Sequence, residues 1–108
     1  MAKAGMDETL KRIKRAIIAG HYEFSLKAVI ELDADGLGES DALESILNAR
    51  EIYKTIRSTS AGRTRRREYL HIIIAPTLDG IEMYTKGKLV VALGTETYYF
   101  LVSSKRSA

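Results

Sequence analysis

The stretch Ser40-Asp41-Ala42-Leu43-Glu44-Ser45-Ile46-Leu47-Asn48-Ala49-Arg50-Glu51-Ile52-Tyr53-Lys54-Thr55-Ile56-Arg57 decides the fold. In its first half Leu43, Ile46 and Leu47 recur at helical spacing behind Ser40, a residue suited to capping a helix N-terminus. From Ile52 to Arg57 the apolar positions alternate, which is the period of a strand. The chain therefore turns from helical to extended near Arg50.

Upstream the pattern is helical throughout. Asp7 can cap a helix running to about Ala19, with Leu10, Ile13, Ile17 and Ile18 apolar and Gly20 placed for a left-handed end. Ser25 caps a second helix with Leu26, Val29, Ile30 and Leu32 as its stripe. Gly36 closes it, and Leu37 folds back. Downstream the pattern is extended. Tyr69 to Ala75 alternates, and Pro76 and Asp79-Gly80 mark a turn. Ile81–Thr85 and Lys88–Leu93 read as a hairpin around Lys86-Gly87. Gly94-Thr95 turns the chain into a last strand, Thr97 to Ser103. Helices followed by strands predict a single α+β domain over residues 1–108. Two to three N-terminal helices pack on one face of a four- to five-stranded antiparallel sheet.

Composition narrows the function classes. The 108 residues are 45% hydrophobic and 29% charged, which fits a globular domain rather than a disordered chain. There is no cysteine, so disulfides, thiolate metal sites and cysteine nucleophiles are excluded. Asp33, Asp35, Gly38 and Glu44 have part of the spacing of a calcium loop, but Leu37 stands where an oxygen ligand is required. The two histidines, His21 and His71, are far apart in sequence, so no metal or other cofactor is expected. The apolar runs are too short to span a bilayer, and the N-terminus lacks the apolar stretch of a signal peptide. The expectation is a soluble cytoplasmic protein. Net charge is only +3, but the basic residues are grouped. Lys11, Arg12, Lys14 and Arg15 lie on the first helix and read best as a solvated face. Arg63, Arg65, Arg66 and Arg67 follow a small-residue loop, and guanidinium forks of this kind pair with phosphate. Lys86, Lys88, Lys105 and Arg106 lie late. Such a distribution suits a nucleic acid or an acidic protein.

Alternation sorts the strand residues into two faces. Ile52, Ile56, Leu70, Ile72, Ile74, Ile81, Met83, Phe100 and Val102 are expected to face the helices. Tyr53, Thr55, Arg57, Tyr69, His71, Tyr84, Tyr99, Ser103 and Lys105 are expected to face outward. Tyrosine and lysine there can bind a phosphodiester or move its protons without a metal. The candidate RNA-binding residues are Arg63, Arg65, Arg66, Arg67, Lys86, Lys88 and Tyr99. His71, on a polar strand face, is a candidate general acid.

The order of elements resembles the RelE-like superfamily of bacterial toxins, nearest to the motility quorum-sensing regulator (MqsR) group. The likeness rests on several short motifs. Ala19-Gly20 ends the first helix, and Glu31-Leu32-Asp33-Ala34-Asp35-Gly36-Leu37 precedes the next. Ile52-Tyr53-Lys54 opens the sheet, Tyr84 lies in a middle strand, and Val102-Ser103-Ser104-Lys105 ends the chain's last strand. The resemblance implies a metal-independent endoribonuclease acting on mRNA or ribosome-bound RNA, and a cognate antitoxin, small and DNA-binding, as partner. It implies Lys54, Tyr84 and Lys105 as catalytic residues. Strict alternation turns Lys54 toward the core; a bulge would bring it out, and otherwise Arg57 takes its place. The glutamine that this toxin group carries between its first two strands is not evident, and Arg66 or Arg67 lies in that region. Lysine or Tyr84 would take the 2′-hydroxyl proton, Arg57 with Arg66 or Arg67 would stabilise the phosphorane, and Lys105 or His71 would protonate the leaving oxygen. A non-catalytic RNA-binding module and a domain that only receives an acidic partner are the alternatives.

Overall fold

Asp7 opens the first helix, α1 (Glu8–Ile18), by accepting the Thr9 N–H at 2.7 Å on its side chain. The helix buries Leu10, Ile13, Ala16 and Ile17, while Ile18 is exposed. Gly20, at a φ of 82°, ends it in the left-handed conformation that glycine adopts without strain. The structure is a computed structural model that describes residues 7–57, 68–91 and 97–107. A short strand β1 (Tyr22–Phe24) follows, then α2 (Leu26–Ala34), α3 (Glu39–Asn48), β2 (Lys54–Arg57), β3 (Tyr69–Pro76), β4 (Glu82–Val91) and β5 (Thr97–Arg106).

Ser25 caps α2 as expected, accepting the Ala28 N–H at 3.0 Å. The stripe expected on this helix is displaced. Ala28 and Leu32 are buried, whereas Leu26, Val29 and Ile30 are exposed. The cap of α3 is Gly38 rather than Ser40, because the Asp41 carboxylate reaches back to accept the Gly38 N–H at 2.8 Å. Lys14 of α1 closes the other end of α3, donating to the carbonyls of Leu47 at 2.9 Å and Ala49 at 2.6 Å.

The five strands form one sheet in the order β1-β5-β4-β3-β2. The expected α+β architecture is therefore present, with the helices packed on the sheet. The sheet is mixed rather than wholly antiparallel, because β1 pairs parallel with β5 at its edge. Three residues are too few to announce a strand by alternation, so β1 escapes a sequence reading. The main core joins Leu10, Ile13, Ala16 and Ile17 of α1 and Ile46 of α3 to Ile73, Ala75, Tyr99 and Leu101 of the sheet.

The hairpin expected at Lys86-Gly87 does not exist. Strand β4 runs unbroken for ten residues through both. Gly87 is there for its missing side chain. A Cβ at this position would lie 2.6 Å from the Tyr99 ring carbon Cζ and 2.8 Å from the Phe100 carbonyl oxygen. The neighbouring β5 carries the real irregularity. Lys86 pairs with Ser103 and Gly87 with Leu101, so Val102 is an extra residue in the ladder.

Past the end of β1, α2 takes over the edge of β5. The Ser25 hydroxyl donates to the Val102 carbonyl at 3.0 Å. The Glu31 carboxylate accepts from the Ser103 hydroxyl at 2.7 Å and the Ser104 N–H at 3.1 Å. Asp35 accepts the Arg106 N–H at 2.8 Å. Two carboxylates one helical turn apart thus satisfy strand N–H groups that a further strand would otherwise pair. Burial alone would raise the Glu31 pKa, but hydrogen bonds from Ser103, Lys27 and Ser104 outweigh it and hold the carboxyl below its ordinary 4.5. A carboxyl with a folded pKa below its unfolded one stabilises the protein above the unfolded value, and the contribution is lost as pH falls through the folded one. Glu31→Gln should therefore lower stability at pH 7 by about 1–2 kcal/mol. The difference from the parent protein should shrink as pH drops below 4.5. Thermal unfolding of both proteins at pH 7 and at pH 3 checks this, and an equal difference at both would refute it.

Candidate nucleic-acid interface

The face of the sheet turned away from the helices is set by β3 and β4. Ile73 and Ala75 enter the core from β3, so Leu70, Ile72 and Ile74 point the other way. On β4, Met83 and Thr85 are fully buried, so Tyr84, Lys86 and Lys88 point outward with them. Cross-strand register aligns these residues into rows. Lys54 of β2 lies opposite Ile72, and Ile72 lies opposite Lys86. In the next row Ile74 lies opposite Tyr84, and Tyr84 lies opposite Lys105.

The Tyr84–Lys105 pair joins β4 and β5 on this face. The Lys105 ammonium sits 5.3 Å from the centre of the Tyr84 ring, within cation–π range. Lys88 extends along the face, 5.9 Å from the Phe100 ring centre and 3.3 Å from the Glu68 carboxylate. Lys54 and Lys105 are exposed, whereas Tyr84, Lys86, Lys88 and Phe100 are half-buried. The face is thus an apolar floor of half-buried Leu70, Ile74 and Phe100, with Ile72 buried between Lys54 and Lys86, ringed by ammonium groups. Such a surface offers bases something to lie on and phosphates something to pair with.

The sequence-derived candidates divide between the two sides. Tyr84, Lys105, Lys54, Lys86 and Lys88 share the open face. Lys54 gets there without a bulge, because its expected companions Ile56 and Ile72 also point away from the helices. Arg57 and His71 do not share it. Arg57 pairs with Tyr69, and Thr55 pairs with His71, in the phase of the core residue Ile73. His71 is 8% exposed, and its Nδ1 lies 3.0 Å from the Thr55 hydroxyl. Burial pulls its pKa below the ordinary 6.5; the Arg12 guanidinium pulls the same way and Asp7 opposes. A buried imidazole on the helix side of the sheet is poorly placed to protonate anything on the open face.

Tyr99 is corrected more sharply. It is fully buried, with its ring in the main core and its hydroxyl without a hydrogen-bond partner among the described residues. Burial pushes that hydroxyl's pKa well up. It cannot contact RNA from there. The extra residue at Val102 explains both the miss and the success on β5. Tyr99 and Leu101 face the core before it and Ser104 after it, so Lys105 points outward and Tyr99 does not. Phe100, expected inside, belongs to the open face. Tyr53 and Tyr69 are exposed, at 64% and 45%. Arg63, Arg65, Arg66 and Arg67 lie outside the described residues.

Among the described residues no group of three or more His, Asp or Glu side chains is placed to hold a metal ion. Among the same residues no helix is long and apolar enough to cross a membrane. No family model, no curated protein and no solved structure matches this chain.

Proposed function

We propose that the open sheet face binds single-stranded RNA and that Tyr84 and Lys105 cleave it there. The observation that carries the reading is the Tyr84–Lys105 pair, a hydroxyl and an ammonium on adjacent strands beside the lysine row of Lys54 and Lys86. In the reaction the Tyr84 oxygen takes the proton of the RNA 2′-hydroxyl and passes its own to water. The 2′-oxygen bonds to phosphorus, the bond to the 5′-oxygen breaks, and the leaving oxygen takes a proton from Lys105. The products are a 2′,3′-cyclic phosphate and a 5′-hydroxyl. Lys86 and Lys54 hold the charged phosphorane, the role that Arg57 cannot fill from the other side of the sheet. The protein is then a cytoplasmic toxin of the RelE and MqsR kind. Its antitoxin is an acidic protein that covers the same lysines.

The position of His71 and Arg57 favours one other reading, a module that binds RNA on this face without cleaving it. Both readings require the lysines. If Lys54, Lys86 and Lys105 contact about three phosphates, log affinity should fall with log salt at a slope near −2. Changing all three to glutamine should flatten the slope and weaken binding. Fluorescence anisotropy with a labelled single-stranded RNA over a salt series reads both. An unchanged slope would remove the open face from the binding surface.

A further inference from the structure

Strand β2 ends the sheet at the side opposite β1, and β3 is the element it chiefly packs against. Lys54, Thr55 and Arg57 are exposed along it. Successive strand residues point to opposite faces, so β2 presents a cation on each side of the sheet. Lys54 belongs to the open face. Arg57 lies on the reverse face, directly opposite Tyr69 of β3. Residues opposed in this way stand about 5 Å apart at Cβ, so the guanidinium and the phenol ring share one patch. Tyr69 is exposed there, although His71, in the same phase two residues on, is buried. The cover given by the helices therefore ends between the two. Tyr53 leads into the strand, its N–H donating to the Ile72 carbonyl at 2.8 Å, and it is exposed as well. Among the described residues no ion pair, cation–π or ring contact occupies Arg57, Tyr53 or Tyr69.

We infer, building on the RNA reading of the open face, that a single strand bound there continues round the outer edge of β2. It lays its next bases on Tyr69 and Tyr53 and pairs a phosphate with Arg57. An exposed aromatic ring stacks on any base, and a guanidinium fork matches phosphate oxygens in pairs. Lys54 and Arg57 are three residues apart on the end strand and face opposite ways. A phosphodiester chain leaving the first cation therefore meets the second as it turns the edge. The substrate class is accordingly a single strand longer than the open face alone can hold.

Fluorescence anisotropy with two labelled oligouridines, a 5′-phosphorylated trinucleotide and a decanucleotide, tests this path. Both carry 2′-O-methyl groups, which remove the attacking hydroxyl and keep each length intact. The double variant Tyr53→Ala/Tyr69→Ala should bind the decanucleotide about tenfold or more less tightly than the parent protein and bind the trinucleotide equally well. Tyr53→Phe/Tyr69→Phe keeps both rings and should bind the decanucleotide as the parent does. Arg57→Gln should lower the salt slope of decanucleotide binding by about 0.7, the share of one phosphate, and leave the trinucleotide slope in place. Undiminished decanucleotide binding by the alanine variant would overturn the path. So would an equal loss at both lengths, or a loss as large in the phenylalanine variant. A parent protein that holds the trinucleotide and gains nothing from the decanucleotide would overturn the path and leave the open-face site standing. Failure to bind either length would overturn both.

Discussion

Tyr84→Phe and Lys105→Met should each lower the rate of RNA cleavage by about 10²–10⁴-fold, the usual contribution of a positioned proton-transfer group. The melting temperature should hold nearly constant in both. Tyr84→Phe removes one hydroxyl and keeps the half-buried ring on the sheet. Lys105→Met removes an exposed charge and keeps most of the apolar stem over that ring. Because the two groups act on one phosphodiester, the double variant should be little worse than either alone. The remaining products should still end in a 2′,3′-cyclic phosphate, since the attacking oxygen belongs to the RNA. Cleavage and thermal unfolding measured on the same preparations separate this from a packing role. Full cleavage with lowered stability would leave Tyr84 as a cross-strand packing residue. No cleavage by the parent protein, with RNA affinity intact, would leave the binding module.

Gly87→Ala should be among the most destabilising single changes in the sheet. The added methyl would sit 2.6 Å and 2.7 Å from two carbons of the Tyr99 ring and 2.8 Å from a backbone oxygen. The ring is fully buried among Ile13, Ile17 and Leu101, and the backbone oxygen is fixed in the β4–β5 ladder. Neither can retreat without disturbing the core. Overpacking of this kind costs about 1–3 kcal/mol, and the upper end is expected here because backbone as well as side chain is struck. Tyr99→Phe is the companion variant. It removes a buried hydroxyl that has no hydrogen-bond partner among the described residues, so stability should stay level or rise. Denaturant unfolding of both proteins reads the two signs. A Gly87→Ala protein as stable as the parent would mean that the ring moves freely, against its packing in the core.

The α+β layout was legible because periodicity changes once, near Arg50, and because Asp7, Ser25, Gly20 and Gly36 mark helix ends with their own chemistry. The faces of the strands were legible only in part. Ile72-Ile73-Ile74 is apolar on both sides, and nothing in such a run says which isoleucine enters the core. On β5 a single bulged residue reverses the alternation, which rescued Lys105 and misplaced Tyr99. Gly87 read as a turn because glycine marks turns and aromatic contacts alike, and only the pairing with β5 tells them apart. Leu26, Val29 and Ile30 on α2 form a stripe that is exposed rather than core, since helical spacing gives a face but not its direction.

RNA lying on the open sheet face should be read most directly by isoleucine methyl NMR. Ile72, itself buried, and half-buried Ile74 point to that face, while Ile13, Ile46 and Ile73 are fully buried on the helix side. Titration with a short single-stranded RNA should shift the δ1-methyl signals of Ile72 and Ile74 progressively and leave those of Ile13, Ile46 and Ile73 in place. Shifts confined to the helix side, with Ile72 and Ile74 unmoved at saturating RNA, would contradict it.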